Sequence, residues 1–175
     1  MLFRSDDVAV AEARLLGEPG SMSGLQTRLT SVGAIAVMAD AVGAAEKMLD
    51  ITTQYAQERK QFGRAIGSFQ AVKHHCADML MAVEGSRAAV AHAADVLDDP
   101  TEDLAEAASV AKSFGGPGCA QACQTAVQVH GGIGFTWEHD AHLYLKRTKL
   151  DEALFGSTSW HRRRLAAGVL ETRVS

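Results

Sequence analysis

The sequence is poor in the residues that interrupt helices or cross-link chains. It holds only 3 prolines and 3 cysteines in 175 residues. An odd number of cysteines argues against a framework of paired disulfides and favours reduced thiols. No uninterrupted apolar run reaches the ~18 residues expected of a membrane span. These shortages favour long helices and exclude a small disulfide-rich fold.

Charge is balanced rather than concentrated in one sign. The chain carries 17 basic and 21 acidic side chains, which gives a net charge of -4. That balance offers no electrostatic basis for binding nucleic acid or an anionic membrane, and the triplet at 162–164 is too short to change this. The first ten residues lack the apolar core of a secretory signal. We therefore expect a cytoplasmic protein with neither nucleic-acid nor membrane partners.

Apolar residues recur at spacings of three and four over most of the chain, which is the period of an α-helix packed on one face. The first such pattern begins near Ser21 or Ser23, either of which could cap a helix, and ends near Arg59. The second pattern runs from Ser68 to Leu97. Its regular alternation of three and four suits near-parallel packing of neighbouring helices.

A third helix is predicted after residue 98, with Asp99 as its cap and Pro100 at its first position. Pro117 lies within this helix, in a glycine-rich stretch. Because proline has no backbone N–H to donate, the sequence predicts a kink or a break at this point.

The C-terminal part predicts two shorter helices, over residues 137–150 and 158–170. The fold class that follows is all-α: an antiparallel bundle of the four-helix type with extra short C-terminal helices. We assign the bundle to residues 21–175. Residues 1–20 read as an extended lead-in to it.

Three segments carry residue types suited to a large anionic ligand. In residues 58–70, an arginine at a helix end can fork onto phosphate oxygens. Residues 128–132 end in glycines that leave the backbone open to a ligand, and the hydroxyls of 157–159 can bind phosphate at a helix start. Each segment alone also fits a structural role, as a helix-end charge, a glycine cap or a hydroxyl cap. The candidate residues are Arg59, Phe62 and Gln70; Gln128, Val129, His130, Gly131 and Gly132; and Ser157, Thr158 and Ser159.

Taken in order, these segments resemble the C-terminal helical domain of the acyl-CoA dehydrogenases, and the resemblance covers essentially the whole chain. Members of that family use FAD to oxidise the Cα–Cβ bond of an acyl-CoA thioester, while a glutamate removes the α proton. The resemblance implies that the candidate residues contact FAD, and that Arg59, Phe62 and Gln70 reach a flavin held mainly by a neighbouring subunit. Arg59 suits the pyrophosphate because its donors form a rigid fork.

The family's catalytic base is missing from both positions where the resemblance would place it. One position holds Phe155, which cannot accept a proton. The other, on the first long helix, holds Thr27, whose hydroxyl is far too weak a base for a carbon acid. Glu152 is the one nearby substitute. The sequence thus predicts a chain without a catalytic base, similar to the base-lacking subunit of bacterial heterotetrameric members.

The resemblance also implies partners, because the family's acyl-CoA pocket is built largely by two other domains. We expect a homo- or hetero-oligomer with acyl-CoA dehydrogenase-type subunits, acting in fatty acid or sterol breakdown, and residues 1–20 as the possible remnant of a middle β-domain. The alternative is a non-catalytic interaction bundle that binds no flavin.

Two further readings of the sequence carry less weight. A metal site would need more ligands than the His139 and His142 pair provides, so no metal is expected. Cys119 and Cys123 lie one helical turn apart on an apolar helix, which favours small buried residues over a thiol switch.

Overall fold

The computed structural model describes residues 6–15, 17–18, 20, 22–99 and 101–174, with side chains described up to residue 170. Within these residues, five α-helices and one small β-hairpin form the bundle, which confirms the predicted all-α class. The helices are α1 (Ser23–Glu58), α2 (Gln70–Asp95), α3 (Leu104–His130), α4 (Ala141–Ala153) and α5 (Thr158–Val174). The hairpin pairs β1 (Lys60–Gln61) with β2 (Arg64–Ala65).

Helix α3 lies at the centre, in contact with each of the other four helices. It runs in the same direction as α1, because Tyr55 near the end of α1 stacks on His130 at the end of α3 with ring centroids 4.5 Å apart. Helices α2 and α4 run the other way. An ion pair between Arg87 and Glu46 joins α2 to α1 at 2.7 Å.

Small and flexible side chains form the core between these helices. Alanines dominate the buried faces of α1 and α3, and three methionines fill the space between them. Small residues let helix backbones approach closely, and methionine adapts to irregular gaps. The fully buried members include Ala34, Ala45, Ala111, Ala126, Met38, Met48 and Met79.

Helix α1 is long and apolar enough to cross a membrane by length and composition alone, with a mean hydropathy of 1.4 over its most apolar window. The core helix of a soluble bundle passes the same test. Met38, Ala41 and Met48 face the other helices with 0–1% of their surface exposed. Packing against α3 therefore accounts for the apolar composition of α1.

The predicted start of α1 is confirmed but its cap at Ser23 is not, and the start of α3 differs from the prediction. Helix α1 begins at Ser23 after Met22, with no side-chain cap, and Ser21 lies outside the described residues. Helix α3 begins at Leu104 rather than beside Asp99. Its cap is Asp103, whose carboxylate accepts from the N–H groups of residues 105 and 106 at 2.8 and 3.1 Å.

The cap assigned to Asp99 was wrong for a local reason. Its carboxylate accepts from the N–H and the hydroxyl of Thr101, at 2.8 and 2.6 Å, so that it closes a turn two residues long. Such turns compete with helix starts for the same side-chain oxygen. Pro100 lies outside the described residues.

Of the kink or break predicted at Pro117, the break does not occur, because α3 continues through it. A proline at this position leaves the carbonyl of Ser113, four residues earlier, without its helical donor. The guanidinium of Arg162 in α5 donates to that carbonyl at 3.3 Å. The neighbouring glycines pack closely against other helices, as when Gly115 lies beside Met38 of α1. Contacts from outside the helix thus compensate for the proline.

The link between α3 and α4 is longer than the sequence predicted. A 3-10 turn occupies Gly131–Phe135, and α4 begins at Ala141 rather than near residue 137. Helix α5 begins at Thr158, as predicted. In the lead-in, the described residues contain one 3-10 turn at Glu12–Arg14, and its origin in a β-domain stays a prediction.

Candidate functional site

The first candidate segment folds into the β-hairpin that follows α1. Arg59 is the C-cap residue of α1, and Gln70 begins α2 just beyond the hairpin. Arg59, Phe62 and Gln70 are exposed. Lys60 and Arg64 lie in the same short hairpin, so this end of the bundle is basic. No ion pair within the described part of the chain involves Arg59, Lys60 or Arg64.

Phe62 forms the tip of this hairpin in an unusual conformation. Its φ is 52°, and Gly63 after it has a φ of 77°. Two consecutive positive φ values define the tight hairpin turn that normally takes Asn, Asp or Gly at its first position. A phenylalanine there is strained, and strain of this kind is typical of functional positions. The ring is also 91% exposed. Both features suit a contact with another molecule.

The side chains around Phe62 hold the hairpin in shape. Phe62 meets Phe69 edge to face, with ring centroids 6.1 Å apart. The guanidinium of Arg64 lies over the Phe69 ring at 4.1 Å. Gly67 packs so closely on the last turn of α1 that an added Cβ would lie 2.9 Å from the carbonyl oxygen of Ala56. The hairpin is therefore anchored from behind while its tip stays free.

The second segment ends α3 at the same end of the bundle. Gln128 is exposed and Val129 half-buried, and Gly131 caps the helix with a φ of 61°. A Cβ added at Gly131 or Gly132 would meet no atom within 4 Å. The backbone here is open to a ligand, as the sequence predicted. Gly131 thus forms the glycine cap, and its contact with a ligand stays a prediction.

His130, by contrast, is buried with 3% of its surface exposed. Its Nδ1–H donates to the carbonyl of Ala126 at 2.8 Å, and its ring lies between those of Tyr55 and His139. Burial lowers the pKa of His130, which is therefore neutral near pH 7. These contacts hold the His130 side chain inside the bundle, and its predicted contact with a ligand gains no support from this burial.

The third segment lies in the turn between α4 and α5. Ser157 caps α5, since its hydroxyl accepts from the N–H of Trp160 at 3.3 Å. Its hydroxyl also lies 3.1 Å from that of Ser159. Thr158 is half-buried, and its hydroxyl donates to Glu152 at 3.4 Å. The capping role is thus present, and exposed Ser157 and Ser159 remain open to a ligand.

Phe155 lies at the centre of this turn and faces α1. Its φ is 54°, the second strained aromatic position in the chain. The ring fills the space above Gly33, where an added Cβ would lie 2.4 Å from a ring carbon. Thr27 is exposed six residues nearer the start of α1, or about 9 Å along the axis. Gly33, rather than Thr27, is therefore the α1 residue against which position 155 packs.

Glu152 is already engaged by its neighbours. Its carboxylate pairs with Lys149 at 3.3 Å and accepts from Thr158. These contacts hold it on the α4 side of the turn, beside Gly116 of α3. Its assignment as a substitute base gains no support from this geometry.

Beneath the turn lies a group of buried polar side chains that the sequence did not reveal. Lys112 of α3 is fully buried, yet its ammonium donates to the carbonyls of Asp151, Glu152 and Leu154 at 2.6, 3.1 and 2.8 Å. These carbonyls belong to the last turn of α4 and the residue after it, which lack helical donors. Burial lowers the pKa of Lys112 to about 8, against the opposing effect of Asp151 and Glu152.

Asp151 is also fully buried, beside Asp40 of α1 and Arg147 of α4. Arg147 forms an ion pair with Asp40 and lies 3.5 Å from Asp151. Burial, together with the nearby carboxyl of Asp40, raises the pKa of Asp151 to about 6. The carboxyl therefore takes up a proton more readily than an exposed aspartate does.

The three candidate segments do not converge within one chain. Tyr55 and His130 mark one end of the bundle, and Gly33 with Phe155 mark a region 22 residues earlier along α1, about 33 Å away. The hairpin and the glycine cap share the first end, which we call the hairpin end. Residues 157–159 belong to the second, which we call the turn end. One bound molecule would have to draw on two chains to use both.

The two alternatives weighed from the sequence, a metal site and a thiol switch, gain no support from the structure. Within the described residues, no group of three or more histidine, cysteine or acidic side chains could hold a metal. Cys119 and Cys123 are fully buried, and burial raises the pKa of each thiol to about 11. Both cysteines thus serve as small core residues.

Residues 24–170 match the model of a protein family described as the acyl-CoA dehydrogenase C-terminal domain. The chain belongs to this family. The match covers all five helices and both ends of the bundle, in the order in which the sequence motifs occur.

Known relatives of this acyl-CoA dehydrogenase domain agree with the assignment. Acyl-CoA dehydrogenase FadE34 of Mycobacterium tuberculosis is 41% identical over 92% of this chain and 23% of its own. The solved Tcur3481-Tcur3483 steroid ACAD is 32% identical, with a TM-score of 0.78 over 83% of this chain and 40% of that one. Butyryl-CoA dehydrogenase of Megasphaera elsdenii is 27% identical, with a TM-score of 0.86 over 94% and 43%. The chain thus spans less than half the length of these relatives.

Two features of this acyl-CoA dehydrogenase domain were beyond the reach of motif matching. Lys112 stands in an ordinary helical pattern, where a lysine is normally exposed. Gly33 is one of three glycines in α1, and the sequence does not distinguish it from the other two. Only Lys112 has a signal in the sequence, because a lysine on the buried side of an apolar helix needs buried acceptors.

Proposed function

We propose that this domain completes a flavin site in an acyl-CoA dehydrogenase assembly that oxidises the Cα–Cβ bond of acyl-CoA thioesters, and that it supplies no catalytic base. The observation that carries the proposal is the hairpin end. There the strained, 91% exposed ring of Phe62 stands beside the exposed cations Arg59 and Lys60. An aromatic ring and unpaired cations together suit the flat rings and the pyrophosphate of FAD.

The residues at both ends fit contacts with FAD of different kinds. Arg59 would bind pyrophosphate oxygens, and the open backbone at Gly131 and Gly132 would pass close to the cofactor. Ser157 and Ser159 would donate hydroxyl hydrogen bonds at the start of α5, where the helix dipole favours an anion. Bound FAD supplies the hydride acceptor for the reaction. Because the ends lie about 33 Å apart, each chain would serve two flavins, one across a subunit interface.

The absence of a base follows from the side chains at the turn end. The family resemblance places a proton acceptor at the positions held here by Phe155 and Thr27, and neither side chain can act as the base. Phe155 packs against Gly33, which also has no group that accepts a proton. We infer that the base comes from a partner subunit of the acyl-CoA dehydrogenase type. The similarity to a steroid ACAD supports a place in sterol or fatty acid breakdown. We propose further that the domain acts in the cytoplasm.

The test is flavin retention by the chain purified alone and with a base-bearing partner subunit. We expect the complex to bind FAD, read from its visible absorbance, and Arg59→Met to weaken that binding at least tenfold through loss of a charge-assisted contact. Lys47→Met removes an exposed cation of α1 outside the hairpin and is the matched control. If no preparation retains flavin, the chain is a non-catalytic interaction bundle.

A second measurement separates base loss from flavin binding. We expect the complex to depend on the partner's glutamate for dehydrogenase activity, and a Phe155→Glu chain to restore measurable activity when that glutamate is removed. Activity of the unaltered chain on its own, without a partner, would contradict the missing base.

A further inference from the structure

The turn between α4 and α5 is held by two buried side chains from other parts of the chain. Lys112 of α3 donates to the carbonyl of Leu154 at 2.8 Å. His161 of α5 donates from Nε2 to the carbonyl of Phe155 at 3.0 Å. Their exposed fractions are 0% and 1%. The carbonyls of Leu154 and Phe155, which directly precede Gly156, are thus both held by hydrogen bonds from buried side chains.

Each of these side chains is itself fixed. Lys112 makes two more hydrogen bonds to the last turn of α4. The Nδ1 atom of His161 lies 3.1 Å from the hydroxyl of Ser109, on the face of α3 one turn before Lys112. Trp160 packs against the His161 ring with centroids 4.7 Å apart. Neither residue can move without breaking several contacts.

The conformation that these bonds impose is unfavourable by itself. Phe155 has a φ of 54°, which L-residues other than Gly, Asn and Asp rarely adopt. The following Gly156 has a φ of 105° and lies so close to His161 that an added Cβ would be 2.8 Å from its Nε2. A strained backbone persists only where its surroundings determine it. The alternative, an unstrained turn, would move the side chain at position 155 away from Gly33.

We propose that Lys112 and His161 are positioning residues, which lock the α4–α5 turn so that the side chain at position 155 points at Gly33 and the hydroxyls of 157–159 stay at the start of α5. The lock itself exists without a ligand; its importance for FAD rests on the proposed function. Because of this lock, the turn has its final shape before any ligand binds. The identity of the side chain at position 155 then decides what the turn end presents to a bound substrate.

Ionisable groups around the lock give it a pH dependence. Asp151 and Glu152 of α4 face Lys112, His161 faces it from α5, and Asp40 of α1 acts on Asp151. Lys112 loses its charge near pH 8. Hydrogen bonds from a charged donor are stronger than those from a neutral amine, so the lock weakens as pH rises through this value.

The test is an NMR study of the full chain without flavin. The wild type is expected to show a nuclear Overhauser effect between the Phe155 ring and the Gly33 α protons, and a 13C carbonyl shift at Leu154 that titrates near pH 8. In Lys112→Met we expect the Phe155–Gly33 effect to fall at least threefold and the titration to vanish. The Tyr55–His130 ring contact at the hairpin end should persist, which shows that the variant is folded.

A pair of variants at His161 checks the second residue of the lock. His161→Gln keeps an N–H donor of similar reach and should preserve the Phe155–Gly33 effect, whereas His161→Leu should lose it. The proposal is overturned if Lys112→Met and His161→Leu both retain the effect. The pair of His161 variants decides the matter should Lys112→Met fail to fold.

Flavin retention is measured separately in the complex, so the two proposals can fail independently. Loss of flavin binding with the Phe155–Gly33 contact intact would count against the proposed function alone. A contact that is absent from the wild type would count against the lock alone.

Discussion

The hairpin end and the turn end treat their polar groups in opposite ways. At the hairpin end, Arg59 and Lys60 point outwards and make no ion pair within the described residues, and Phe62 is almost fully exposed. At the turn end, Lys112, Asp151 and His161 are buried. Lys112 and His161 donate to backbone carbonyls, and the carboxylate of Asp151 lies 3.5 Å from the guanidinium of Arg147. Both ends contain a strained phenylalanine. The difference fits the proposal that the hairpin end contacts another molecule, whereas the turn end holds its own shape.

The largest expected effect is at Lys112, whose replacement should lower the stability of the folded chain. We expect Lys112→Met to lower the free energy of unfolding by about 3 kcal/mol, because three buried carbonyls lose a charged donor. Denaturant-induced unfolding measures this. Lys149→Met, which removes an exposed lysine paired with Glu152, should change stability by less than about 0.5 kcal/mol. Equal effects of the two variants would abolish the distinction between inward and outward cations.

Asp151 gives the turn end a characteristic pH dependence. Its pKa is raised to about 6, so the folded chain binds more protons than the unfolded chain between pH 4 and 6. Stability from this group is therefore present below pH 4 and is lost as pH rises to 6, by about 2 kcal/mol. Asp151→Asn should remove this decline in pH-dependent unfolding experiments. Asp95→Asn, at an exposed position of α2, should leave the decline as it is in the wild type.

Phe62 tests whether the hairpin end carries strain for the sake of an outside contact. Phe62→Gly should stabilise the isolated chain by about 1 kcal/mol relative to Phe62→Ala, because only glycine adopts a positive φ without cost. Thermal unfolding compares the two variants. Both should weaken assembly with a flavin-bearing partner, since both remove the ring. Stronger assembly by either variant would show that the ring is not a contact.

The smallest effect is expected where α5 supports the middle of α3. Arg162→Met removes the donor to the Ser113 carbonyl and should cost about 0.5 to 1 kcal/mol, since the bond is long and partly exposed. Arg163→Met, at the next exposed position, is the control. A drop in stability confined to Arg162→Met would link the continuity of α3 to a single guanidinium.

The sequence predicted the helices well because their signal is local and repeats along the chain. Apolar spacing located α1, α2 and α5 to within a few residues. The sequence did not show that α3 continues through Pro117, because this depends on Arg162, a residue 45 positions later. It also indicated the wrong cap for α3, because both Asp99 and Asp103 suit that role. Local patterns cannot report donors that arrive from another helix.

The candidate site was predictable only in part for the same reason. The order of the motifs identified residues 59–70, 128–132 and 157–159 as candidates. Their contact with FAD stays a prediction. The separation of the ends, the contact of Phe155 with Gly33 and the burial of Lys112 all depend on how helices pack. Thr27 was chosen by a local resemblance, whereas the packing of the turn selects Gly33.

The bond from Arg162 to Ser113 has a consequence for the chain while it is being made. Synthesis proceeds from the N-terminus, so α3 leaves the ribosome with a vacant acceptor at Ser113 and stays so until 49 further residues have been added. His161, which fixes the α4–α5 turn, emerges at the same moment. The hydrogen bonds of Arg162 and His161 therefore both form late, when the start of α5 packs against α3. Until then, only water can donate to the carbonyl of Ser113.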